Sequence, residues 1–175
     1  MKKLLLFLAL SGWALSLMVH IVSLAHMDIA DKIPFIWFLH IGVFIVWLPT
    51  VLILRKNEEL KQAKTLTRMN PVAMFNIMLK GAPPWLLYVV IGGFAYAIIN
   101  FLLIISSGIG VTSIIDGQYV LHNHGQVLKT LTEGEYHQCQ AKEMRLSSGH
   151  WIVFYGIAAA VLYPSKKESM EKINS

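Results

Sequence analysis

The chain has 175 residues, of which 55% are hydrophobic and 14% charged, against about 25% charged in an ordinary soluble domain. That composition excludes a water-soluble globular domain. The net charge of +5 follows from where the basic residues sit along the chain, so it calls for no nucleic acid or acidic ligand.

Four stretches contain no Asp, Glu, Lys or Arg: Leu4–Met27, Ile33–Leu54, Gly81–Ile115 and Leu146–Ser165. A hydrocarbon core of about 30 Å takes roughly 20 helical residues at about 1.5 Å each, and lipid offers the backbone no hydrogen-bond partners of its own. The chain therefore reads as an all-α membrane protein, a four-helix transmembrane bundle with a small outer β-hairpin plus a helix extension. The spans fall at about 4–26, 33–54, 84–106 and 147–163, with a basic cytoplasmic loop 55–83 and an outer segment 107–146. Short loops rich in Lys and Arg stay in the cytoplasm. Lys2, Lys3, Arg55, Lys56, Lys61, Lys64, Arg68, Lys80, Lys166, Lys167 and Lys172 lie on one side, and only Lys32, Lys129, Lys142 and Arg145 on the other. Both termini are thus expected inside, where the basic loop meets anionic lipid.

In span one, Gly12, Ser16 and His20 recur every four residues, a small-residue stripe that favours close helix contact and turns His20 toward protein. The Lys-Lys start and Ser23-Leu24-Ala25 also fit a cleaved signal peptide, which would leave three spans. The apolar run, however, exceeds the roughly 7–15 residues of an ordinary leader. Trp37 and Trp151 near outer ends, and Trp47, Trp85, Tyr88 and Tyr163 near inner ends, resemble interfacial belts.

After span two, the residues from Glu58 to Met69 predict a short cytoplasmic helix ended by Asn70-Pro71. The apolar run from Val72 to Leu79 either lies flat at the interface or packs as a loop under the bundle. Pro83-Pro84 opens span three and Pro164 follows span four, both positions where proline costs little. Gly93 and Ala97, and Gly156 and Ala160, repeat the small-residue spacing, and Asn100 in mid-span should point inward to a partner.

In the outer segment, Asp116-Gly117 reads as a turn, and His122-Asn123-His124-Gly125 as a four-residue loop between Tyr119-Val120-Leu121 and Gln126-Val127-Leu128. Thr132 with Glu135 three positions on is a capping box. From Glu133 one helix of about 30 residues, roughly 45 Å, reaches Tyr163 unless Gly149 breaks it. The lone Cys139 has no partner for an internal disulfide.

All seven histidines fall on the outer side. His20 and His40 each lie ten residues from Ala30, the centre of the outer turn, so they share a depth in an antiparallel hairpin and can face each other. Imidazole is a common metal ligand, and ionisable groups within a membrane point to function by default. A cofactor site of His20, His40 and His150 for haem, copper or quinone is one expectation, with His150 closing the pocket. A second site, for zinc or copper, gathers His122, His124, His137 and Glu133: the first two on one strand face, the last two at i, i+4 on a helix. The bland alternative is a neutral histidine bonding a neighbouring carbonyl. Arg145, Trp151 and Tyr155 are expected in an outer interfacial collar, with Arg145 paired to Glu133, Glu135 or lipid.

The run Glu143-Met144-Arg145-Leu146-Ser147-Ser148-Gly149-His150-Trp151-Ile152-Val153-Phe154-Tyr155, with Tyr119-Val120-Leu121 before it, resembles segments of small bacterial multi-pass membrane proteins of uncharacterised activity. The resemblance covers the last third of the chain. It implies a bacterial inner membrane and brings no catalytic residue.

No phosphate loop, nucleophile elbow, H-E-x-x-H or C-x-x-C is present, so no enzymatic reaction is assigned. Three readings stand. The first is a non-enzymatic membrane accessory protein that docks a protein partner at its outer face. The alternative is a haem-, copper- or quinone-binding redox or metal-handling protein, and the third a small transporter, for which neither an internal repeat nor an intramembrane carboxylate speaks.

Overall fold

The computed structural model describes residues 1–30, 32–66, 71–106 and 110–164. It is mostly helical, and three of its helices are long and apolar enough to cross a bilayer: Lys2–Leu24, Pro34–Arg55 and Pro84–Ser106. The first is α1, which buries Leu5, Ala9, Gly12, Ser16, Val19, His20 and Ser23. These recur every three or four residues, so one stripe carries the small side chains that admit a neighbouring backbone.

The second begins as a 3-10 turn, Pro34–Trp37, and continues as α2, Phe38–Arg55, burying Val43, Val46 and Thr50. Pro49 lies inside α2 and has no N–H to give the preceding turn. Beside it the Thr50 hydroxyl donates to the Val46 carbonyl at 2.8 Å. Two short helices follow, α3 (Glu58–Leu66) and α4 (Pro71–Met78), with Asn57 Oδ1 capping α3 by accepting from Leu60 N at 3.1 Å. The expected end of α3 at Met69 and Asn70 lies outside the described residues. The apolar run after Pro71 forms a helix, and its Phe75 and Met78 pack on the main core.

The third long helix, α5 (Pro84–Ser106), buries Leu86, Val90 and Asn100. After the sheet comes α6, Glu133–Leu162, 30 residues in one piece. Gly149 does not break it; there a Cβ would come within 3.4 Å of Asn100 Nδ2 and 3.7 Å of His20 Cε1, so the glycine serves close approach.

Each long apolar helix packs on α6. Gly12 meets Tyr155, Trp13 meets Gly156, and His20 meets Ser148, so residue numbers rise on α1 as they fall on α6 and the two run antiparallel. Asn100 with Arg145 and Val90 with Gly156 give the same relation for α5. Extending the α1 pairing sets Leu24 opposite Met144, which leaves Glu133 to Glu143 projecting about 16 Å beyond α1.

On that projection lies a three-stranded antiparallel sheet, order β1-β2-β3: Val111–Ile115, Gln118–Asn123 and Gln126–Thr130. The expected hairpin is therefore one strand short, and its loop is shorter than expected. His122 and Asn123 belong to β2, and only His124 and Gly125 turn, with φ of 47° and 82°. Asp116-Gly117 makes the other turn with φ of 49° and 76°. Two residues at positive φ are what a tight hairpin needs to match strand twist, and they shorten the loop.

Candidate functional site

The polar side chains of the three long apolar helices converge on α6. The Ser148 hydroxyl donates to the Met144 carbonyl one turn back at 2.7 Å, which uses its single proton. Its oxygen then accepts from His20 Nδ1 at 2.9 Å. Neutral imidazole carries one N–H, so His20 Nε2 is the acceptor and takes the Tyr96 hydroxyl at 2.7 Å. The result is one directed chain from Tyr96 through His20 and Ser148 to the Met144 carbonyl, linking α5, α1 and α6. His20 and Ser148 are buried, at 3% and 0% exposed. Asn100 adds a second tie, its Nδ2 donating to the Arg145 carbonyl at 3.4 Å, and points inward as its mid-span position predicts.

His40 is held differently. Trp151 Nε1–H can only donate, and it donates to His40 Nδ1 at 2.9 Å. That fixes the proton of His40 on Nε2. The Trp151 indole is buried, with the Trp37 ring edge-on at 5.9 Å and the His40 ring at 6.1 Å. One turn on, Tyr155 donates to the Leu39 carbonyl at 2.8 Å and lies against Gly12 and Gly42.

His20 and His40 are thus not brought together. Matching depth follows from chain length, but rotation about the helix axes does not, and α6 supplies each imidazole with a better partner than the other imidazole. His150 does not close over them. Its ring is exposed beside Phe101, and Nδ1 donates to the Leu146 carbonyl at 2.8 Å. Of the expected collar, Trp151 and Tyr155 are buried in the core. Arg145 Nε is buried without a partner among the described residues, and neither Glu133 nor Glu135 answers it. Glu135 is held by Lys129 Nζ at 2.5 Å and by Thr132 N at 2.8 Å, completing the capping box. Those donors hold its carboxyl down at about 2.

The histidines beyond the long apolar helices scatter. His122 is in β2 and His124 in the turn, so they do not share a strand face. His137 Nδ1 meets Asp28 Oδ2 at 2.9 Å, while Glu133 lies 3.9 Å from Nε2. Among the described residues, no three His, Cys, Asp or Glu side chains group closely enough to hold a metal. The site has parts that sequence reading passed over: Asp28, Tyr96 and Glu143. Asp28, buried, also accepts from Ala30 N at 3.1 Å and so clasps the turn between α1 and α2 to α6. Glu143 accepts from Thr112 N and Oγ1, both at 3.0 Å, and fastens β1. Tyr96 had a legible signal, since it lies one turn before Asn100 on the same helix face.

Beside Trp37 a cleft of about 230 Å³ opens between the α1–α2 turn and α6, lined by Ala30, Gln140, Glu143 and Met144. No protein-family profile, curated protein or solved structure matches the chain.

Proposed function

We propose that the chain is a non-enzymatic integral membrane accessory protein of the bacterial inner membrane. It is a four-helix bundle with both termini cytoplasmic, built to present a rigid outer platform to a protein partner. The observation that carries this reading is the continuity of α6. The same 30-residue helix whose Ser148 and Trp151 bind the intramembrane histidines also bears the sheet and the Asp28 clasp outside. Polar side chains between helices act as glue where lipid gives no hydrophobic drive to association. His20 is spent in that way, and among the described residues the other histidines form no group of three with Cys, Asp or Glu of the kind a zinc or copper centre uses.

The platform supplies what a partner would bind. Strand β3 is exposed at every residue, with Val127 and Leu128 both 54% exposed, and an uncovered edge strand invites pairing with another chain. A photo-reactive residue at Val127, crosslinked in intact cells, tests this directly. One discrete adduct that persists in the His20→Ala variant is the expected result. Absence of any adduct together with haem or stoichiometric metal in the purified protein would replace the reading with the cofactor alternative.

A further inference from the structure

His20 and His40 are both intramembrane imidazoles, yet their proton arrangements are opposite. In His20 both ring nitrogens are satisfied, Nδ1 by Ser148 and Nε2 by Tyr96. In His40 only Nδ1 is satisfied, and because Trp151 is its donor the proton must sit on Nε2. The His40 side chain is exposed, and Nε2 has no protein acceptor among the described residues. It lies one turn below Trp37 at the outer end of the second long apolar helix, between the exposed rings of Trp37 and Phe44. A donor turned out of the bundle toward lipid without an acceptor is costly. A carbonyl of the lipid phase is the acceptor such a position can offer.

We infer that His40 Nε2–H, oriented by Trp151 and flanked by Trp37 and Phe44, binds the carbonyl oxygen of a membrane-dissolved molecule. Two sources share that chemistry: the acyl ester of a phospholipid and the ring carbonyl of a quinone. The aromatic edges suit a flat quinone ring, and the position just below an interfacial tryptophan suits an ester. Trp151 acts as the positioning residue, since an imidazole with its proton on Nδ1 would present a lone pair outward and bind no carbonyl.

The inference rests on α2 crossing the bilayer, which cysteine labelling tests independently of any ligand. The experiment uses the full chain labelled with ¹⁵N-histidine in nanodiscs, with the His40 resonance assigned by its loss in His40→Gln. Three conditions are compared: diacyl phosphatidylglycerol, its diether analogue, which has no carbonyl, and the diether lipid with a short-chain benzoquinone. Protonated Nε2 is expected throughout. A shift between ester and ether lipid assigns the phospholipid. A saturable shift with quinone in ether lipid assigns the quinone, with apparent affinity about fivefold weaker in Trp151→Phe. A proton found on Nδ1, or a resonance identical in all three conditions, overturns the proposal.

Discussion

Ser148 and His20 are buried polar residues that join α6 to α1. Each forms part of one hydrogen-bond chain, so the consequences of losing them overlap. Ser148→Ala and His20→Ala are each expected to lower stability by about 1 kcal/mol, and the double variant by clearly less than the sum. Unfolding by SDS titration in mixed micelles measures all three. Additive losses would mean that the chain does not act as a unit. Tyr155 offers a second test, because its ring packs on Gly12 while its hydroxyl reaches across Gly42. Gly12→Ala and Gly42→Ala should each destabilise by about 1–3 kcal/mol through overpacking. Tyr155→Phe should rescue Gly42→Ala, which meets the hydroxyl, and should not rescue Gly12→Ala, which meets ring carbons. Thermal unfolding of the five variants in one detergent, Tyr155→Phe alone among them as the reference, decides it.

At the scale of elements, α6 is a rod whose N-terminal end is fastened at its first turn. Glu135 there accepts from Lys129 in β3 and from Thr132 at the cap. Its carboxyl pKa is lowered to about 2 from a usual 4.5, so folding favours the charged form. That contribution is fully present above the unfolded value and is lost as pH falls from about 4.5 toward 2. The protection factors of the Thr132 and Glu135 amides, taken against the intrinsic exchange rate at each pH, should therefore fall over that window, while protection near Ser148 holds. Protection at Thr132 that is flat between those limits would remove the cap from the account. Much at this scale was legible beforehand. The capping box, the Pro84 start of α5 and the uninterrupted α6 follow from local rules that need no tertiary partner. Strand β1 was not. Val111-Thr112-Ser113-Ile114-Ile115 continues an uncharged apolar run, and a short apolar segment reads alike as strand or helix end until it has a neighbour to pair with.

For the molecule as a whole, the expected topology can be checked with its own single cysteine. Cys139 lies on the sheet-bearing N-terminal part of α6 and is partly exposed. An impermeant maleimide should label it in cells whose outer membrane alone is opened. A Lys56→Cys thiol in a Cys139→Ser background should react only after the inner membrane is opened. The reverse pattern would invert the protein and place its histidines inside. What the sequence by itself determined is the class of solvent and the spacing of elements. Uncharged runs of span length, basic loops and cap residues act through lipid, charge and local backbone, all of which are properties of segments. The tertiary structure alone decided which side chains meet. His20 and His40 have equal claims by depth, yet one closes a chain with Ser148 and Tyr96 while the other is turned outward by Trp151. That difference depends on the rotation of each helix about its axis and on which residues α6 presents. Rotation is set by packing of Gly12, Gly42 and Gly149 against their neighbours, an interaction between segments far apart in the chain.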